Sequence, residues 1–241
     1  METARAQELS ANLAAVHDRI DRAVAAAGRE DRPELIVVTK YFPAADVEHL
    51  HGLGLRNIGE NKEQEAAAKA AETAHLNGLN WHFIGQLQSN KSKSVARYAH
   101  AVHSLDRLKL VRGLAGAAAD ALERGHRAQP LECLIQVDLR DPMPADGRGG
   151  ASPADMNALA EAVAEAAPLR LAGVMAVAPL EQPARPAFER LARLSHQLRG
   201  SHPEATAISA GMSQDLEEAV ASGATHLRIG RDVLGGRPPH R

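Results

Sequence analysis

Residues 33–52 read PELIVVTKYFPAADVEHLHG, and the fold is decided there. The run Leu35 to Thr39 is short, apolar and β-branched, which suits a strand buried on both faces. After Pro43 the apolar positions Val47 and Leu50 fall at helical spacing, and the pattern stops at Gly52 and Gly54. A strand followed directly by a helix is the repeating unit of a parallel sheet. The unit recurs downstream. Strands are predicted at Arg56–Gly59, Trp81–Gly85, Ala101–Leu105, Leu131–Val137, Leu171–Val177, Thr206–Ser209 and His226–Ile229, each of the first six with a helix after it. Upstream, Leu9, Leu13, Val16, Ile20 and Val24 mark an amphipathic helix ending near Gly28. Eight strands in about 200 residues point to one closed (β/α)8 barrel, the TIM-barrel form of the α/β class. We therefore expect a single domain over 1–241, with an extra helix at about 2–28 and the barrel at about 34–237.

Composition narrows the function. With 28 Lys+Arg against 30 Asp+Glu, the formal net charge of −2 gives no field to hold a nucleic acid. The longest apolar run, Leu171 to Leu180, is half of what a membrane span needs, and no signal peptide opens the chain, so the expected location is the cytoplasm. A dinucleotide fingerprint fails, because Gly52 and Gly54 precede a strand and Asn57 stands where a third glycine belongs. The single cysteine, Cys133, lies inside an apolar strand and reads as a packed core thiol. Twelve histidines show no metal-ligand spacing, so no metal site is expected.

Lys40 follows the first strand directly and is expected at the carboxyl rim, where barrels place their chemistry. There it is either a Schiff-base amine or a solvated lysine. Ser209 to Ser213 leads from strand seven into a helix with Ser213 as its N-cap and its acidic residues turned outward. Together with the turn Ile229-Gly230-Arg231 it forms either a phosphate cup or ordinary caps. Arg228 alternates with Leu227 and Ile229, so it points into the barrel, as a fixed donor or as the partner of a buried acid. Asn57, Glu60 and Asn61 at the end of strand two, and Ser104 after His103, are weaker candidates. The Pro- and Gly-rich segment Asp138–Ala151 is expected to be a long loop, able to act as a lid. Residues His82 to Lys93 read as a solvated loop or a basic interaction surface.

The ordered motifs Thr39-Lys40, Asn57-Ile-Gly-Glu-Asn61, Trp81-His-Phe-Ile-Gly85, Leu87-Gln-Ser-Asn-Lys91, His103-Ser-Leu-Asp106, Gly173-Val-Met175, Gly211-Met-Ser213 and Arg228-Ile-Gly230 resemble those of the pyridoxal phosphate homeostasis proteins, the YggS/PROSC family. The resemblance runs from about Leu9 to Arg237. It implies a barrel similar to the amino-terminal domain of alanine racemase, with pyridoxal 5′-phosphate (PLP) as cofactor on Lys40. It further implies that Ser213 and the backbone of Gly230 and Arg231 hold the phosphate, that Arg228 donates to the pyridine nitrogen, and that Asn57 joins the site. Two positions depart from the pattern. Arg231 replaces a small hydroxyl residue, and Arg148 stands where relatives carry a lysine, which removes a second amine for the cofactor. Racemases that resemble this barrel add a second domain with a tyrosine base, and only Tyr41 lies near Lys40 here. The implied protein is a monomeric PLP carrier, its recipients PLP-dependent apoenzymes. A weak PLP enzyme such as a racemase and a class I aldolase-like barrel are the alternatives.

Overall fold

The computed structural model describes residues 4–140, 149–179 and 182–236. Eight parallel strands close into a barrel in chain order: β1 (Glu34–Val38), β2 (Asn57–Glu60), β3 (Asn80–Phe83), β4 (Ala99–Leu105), β5 (Leu131–Gln136), β6 (Leu169–Met175), β7 (Ala207–Ser209) and β8 (His226–Ile229). Strands β1 and β8 complete the ring, with Val37 opposite Ile229. The helices are α1 (Ala4–Ala26), α2 (Ala44–Gly52), α3 (Glu63–Glu72), α4 (Ser92–Tyr98), α5 (Leu108–Glu123), α6 (Met156–Ala164), α7 (Ala184–Ser201), α8 (Leu216–Ala221) and α9 (Arg231–Leu234). All eight expected strands are present, and most boundaries move by one or two residues.

Alternation along each strand sorts the core. Val37, Ile58, Phe83, Val102, Cys133, Val174, Leu227 and Ile229 face outward into the main apolar cluster with the helices. Ala101, Leu134, Ala172 and Met175 form a second, smaller cluster. Side chains of alternate parity fill a barrel interior in this way. Cys133 is fully buried, and burial pushes its thiol pKa up to about 12, so it is a core residue and no nucleophile. Helix α1 buries Leu9, Leu13, Val16 and Ile20 and packs on α2, α8 and α9. It ends where Gly28 adopts φ +63° and Arg29 N–H bonds back to the Val24 carbonyl.

Gly173 shows why one motif position is glycine. It sits opposite Ala207, and a Cβ there would lie 1.9 Å from the Ala207 carbonyl oxygen. That oxygen belongs to backbone and cannot step aside. Gly173→Ala is therefore expected to cost about 3 kcal/mol or more in urea denaturation, against about 1 kcal/mol for an ordinary substitution. Among the described residues no helix is long and apolar enough to cross a membrane.

Candidate functional site

Strand β1 ends at Val38, and the chain turns sharply at its carboxyl end. Phe42 N–H returns to the Thr39 carbonyl at 3.0 Å, and Tyr41 takes φ +73°, a left-handed conformation unusual outside glycine. Lys40, half-buried, stands in this turn with its Nζ 6.0 Å from the Tyr41 ring centroid. Lys62 Nζ lies 5.3 Å from the same ring. An amine at the rim with no acid on it among the described residues is placed to meet a ligand.

Arg228 points inward from β8 and is 4% exposed. No carboxylate pairs with it among the described residues. Its Nη1 donates to Ser209 Oγ at 2.7 Å and its Nη2 to the Ala176 carbonyl at 2.9 Å. Burial pulls its pKa down to about 10, still a full cation at neutral pH. Behind Ser209 runs a chain of short contacts: His103 Nδ1 at 2.9 Å from Ser209 Oγ, His103 Nε2 at 3.0 Å from His82 Nδ1, and His82 Nε2 at 3.2 Å from Asn57 Oδ1.

Chemistry fixes the direction of every proton in that chain. Asn57 Nδ2 donates to Glu34 Oε2, so its Oδ1 is the acceptor, and Asn80 donates to it as well. His82 Nε2 must then carry hydrogen. Burial, with the nearby His100 and His226, holds the His82 pKa well below its usual value, so the ring is neutral and its Nδ1 accepts. His103 Nε2 is consequently a donor, and burial keeps this ring neutral too. Its Nδ1 accepts the Ser209 hydroxyl proton, which leaves a Ser209 lone pair for Arg228. The guanidinium is held by a one-way relay that crosses the barrel interior.

This geometry corrects the expectation for Asn57. Strand β2 has only four residues, and Asn57 begins it, paired with Asn80 at the start of β3. It faces the amino-terminal mouth beside Glu34, the end opposite Lys40, and reaches the site only through the histidines. His82, His103 and Ser209 were not singled out as partners of Arg228. A polar residue between two outward-facing apolar ones, as in Trp81-His82-Phe83, is the signal that finds such residues. Ser104, another of the weaker candidates, has a buried hydroxyl with no hydrogen-bond partner among the described residues.

The loops after β7 and β8 form the adjoining part of the rim. Gly211 is forced to be glycine, since at φ +92° a Cβ would meet Ala219 Cβ at 2.6 Å and Leu227 Cδ2 at 2.8 Å. Ser213 is not the N-cap of α8. The helix starts two residues later than expected, Asp215 holds the cap position, and the Asp215 carboxylate accepts Met212 N–H at 2.6 Å. Asp215 is buried instead of turned outward, and burial raises its pKa. Gly230 precedes α9, where a Cβ would come within 3.1 Å of the Val38 carbonyl, so β1 and β8 approach closely beside Lys40. Arg19 of α1 ties the two loops from outside. Its Nη1 donates to the Ser213 carbonyl at 2.8 Å and to Asp232 at 3.0 Å, and its other nitrogens grip Glu217 at 2.6 Å.

At the rim of β5 and β6 a cavity of about 260 Å³ is lined by Gln136, Asp138, Gly149 and Val177. The described ends of the loop there are stitched together, with Asp138 N–H on the Ala151 carbonyl and Gln136 Nε2 on the Gly149 carbonyl. The expected lid, 141–148 with Arg148, lies outside the described residues. The rings of His82, His103 and His226 pack inside the barrel with the exposed His100 against His82, yet no group of three or more metal-ligating side chains is arranged around a common point among the described residues.

Residues 11–238 match the family model of the alanine racemase N-terminal domain. A pyridoxal phosphate homeostasis protein of Mycobacterium leprae is 42% identical, the match covering 96% of this chain and 93% of that one. The chain belongs to the pyridoxal phosphate homeostasis protein family. Another such relative, from Escherichia coli K12, is 36% identical with 95% and 97% coverage. Among solved structures, PipY of Synechococcus elongatus with PLP bound superposes with a TM-score of 0.80 at 29% identity, covering 94% of this chain and all of that one. An alanine racemase from Corynebacterium glutamicum, at 13% identity and TM-score 0.64, shares the barrel alone. Within the family's barrel, then, β1 and β8 meet at the seam where Lys40, Arg228 and Gly230 lie.

Proposed function

We propose that this chain is a PLP-binding protein of intracellular vitamin B6 homeostasis, one barrel domain that holds PLP as a Schiff base on Lys40 and does little chemistry with it. Bound PLP supplies an aldehyde that condenses with an amine and a pyridine ring that withdraws electrons. The observation that carries the reading is Arg228. Two of its five N–H donors end on neutral oxygens, and no carboxylate claims the rest among the described residues, a donor surplus suited to a pyridine nitrogen. Because guanidinium does not surrender its proton, a ring nitrogen facing it stays unprotonated, and the ring is a weak electron sink. Binding without vigorous catalysis follows.

Lys40 contributes the amine. Ser213 and the backbone amides of Gly230 and Arg231, on the two loops that Arg19 joins, are assigned to the phosphate. Arg231 acts through its backbone. Asn57 supports Arg228 from a distance and is not assigned a contact. The similarity to PipY with PLP bound, and to relatives named pyridoxal phosphate homeostasis proteins, supports the cofactor. We further assign the protein to the cytoplasm as a monomer, with PLP-dependent apoenzymes as recipients.

A weak racemase is the second reading, favoured only by the Tyr41 ring 6.0 Å from Lys40 Nζ. Incubation with PLP, borohydride reduction and peptide mass mapping test the proposal, with the label expected on Lys40. Incubating the loaded protein with amino acids in deuterated water is expected to exchange no α-proton above a free-PLP control. Exchange that depends on Tyr41 would establish the racemase.

A further inference from the structure

The groups on both sides of Lys40 end on one helix. Lys69 on α3 is 5% exposed, and its ammonium spends all three protons: on the Thr39 carbonyl at 2.8 Å, on Glu60 Oε1 at 2.7 Å and on Glu65 Oε1 at 2.7 Å. Glu65 Oε1 also accepts the Tyr41 N–H at 2.5 Å. Thr39 Oγ1 adds a bond to Glu60 Oε1 at 2.7 Å. The carbonyl before Lys40 and the amide after it are therefore gripped by residues one helical turn apart, Glu65 and Lys69.

Fixing those two peptide planes fixes the backbone angles of Lys40, and with them the direction in which its side chain leaves the rim. The left-handed turn at Tyr41 costs on the order of 1 kcal/mol, and a charged acceptor on its amide offsets that cost. Stability is a weak reason for such a network. Three ionisable groups in a buried cluster are often no better than an apolar packing of the same volume. The cluster even leaves Glu60 Oε2 buried without a hydrogen bond among the described residues. Orientation of the neighbouring amine gives it a purpose that packing does not.

We infer that Glu65 and Lys69 are positioning residues that aim Lys40 at the bound aldehyde, an inference that rests on Lys40 being the linking amine. The test compares wild type with Glu65→Ala and Lys69→Met in two measurements: the rate at which added PLP becomes borohydride-trappable on Lys40, and the affinity for pyridoxine 5′-phosphate, which has the phosphate and ring but no aldehyde. Misaiming by a fraction of an ångström is expected to slow trapping about tenfold or more. Pyridoxine phosphate affinity is expected to stay within about twofold, because the anion and ring contacts lie on β7 and β8. Lys69→Arg, which keeps a donor to the Thr39 carbonyl, should recover part of the rate. Equal losses in both measurements would make the cluster merely structural and overturn the inference, as would unchanged trapping. If Glu65→Ala does not fold, Glu65→Gln keeps an acceptor for Tyr41 while loosening Lys69, and carries the same comparison with a smaller loss. Wild-type label on a lysine other than Lys40 would sink the underlying assignment, an outcome the mapping separates from a fault in the positioning argument.

Discussion

Replacing Lys40 with alanine is expected to abolish borohydride-stable PLP on the protein while leaving its melting temperature within about 3 °C of wild type. The two halves of that expectation come from different facts. Lys40 Nζ lies 6.0 Å from the Tyr41 ring centroid and holds no acid among the described residues, so truncation removes about 1 kcal/mol at most. The covalent linkage, by contrast, has no substitute, since Arg228 is an arginine and cannot form an imine. Noncovalent binding through Arg228 and the loops after β7 and β8 should persist, and the variant should bind PLP about as well as it binds pyridoxine phosphate. Reduction followed by mass mapping and a thermal melt are sufficient readouts. A label that survives in Lys40→Ala would move the linkage to another amine, of which Lys62, across the Tyr41 ring, is the first to examine. A large drop in melting temperature would instead make Lys40 a structural residue.

The barrel was legible because its cause is local. A run such as Leu35-Ile-Val-Val followed by a helix needs no partner to be recognised, and the β-branched strands announce a sheet covered on both faces. Arg228 was legible for the same reason, by alternation with Leu227 and Ile229. Ser213 was misread because capping depends on where a helix begins, and two residues decide between Ser213 and Asp215. Asn57 was grouped with Glu60 and Asn61 at the end of strand two, but the strand runs Asn57–Glu60 and its four-residue length separates the two mouths of the barrel, so Asn57 lies at the other one. Arg19 and Lys69 were not legible at all. Arg19 lies 194 residues from the Ser213 carbonyl it grips, and Lys69 lies 30 from that of Thr39, so their roles exist only once the ring has closed.

Acid should unfold this protein early, and the interior histidines are the reason. Burial lowers the pKa of His82 and His103 well below 6.5, and lowers that of His226, on which Glu34 and Glu132 pull the other way. A histidine whose folded pKa is depressed takes up its proton in the unfolded chain first. Its contribution is complete above about pH 6.5 and is lost as pH falls from there through the folded value. Three such groups give a limiting slope of about 4 kcal/mol per pH unit below 6.5, comparable with the whole stability of many domains. Glu60 and Asp215, whose pKa values burial raises, bind protons in the folded state first and offset part of that slope in the lower end of the window. Urea denaturation at pH 7.5 and 5.5 measures the difference. His103→Gln, which cannot titrate, should flatten the slope by about a third whatever it does to stability at pH 7.5. PLP loading should fall only at the lower end of that window, where His103 itself protonates in the folded protein, because the ring then sets a second positive charge beside Arg228 and its Nδ1 turns from acceptor of the Ser209 hydroxyl into a donor. A pH profile identical in wild type and His103→Gln would show that the relay does not titrate in this range and would overturn the link between acid and Arg228.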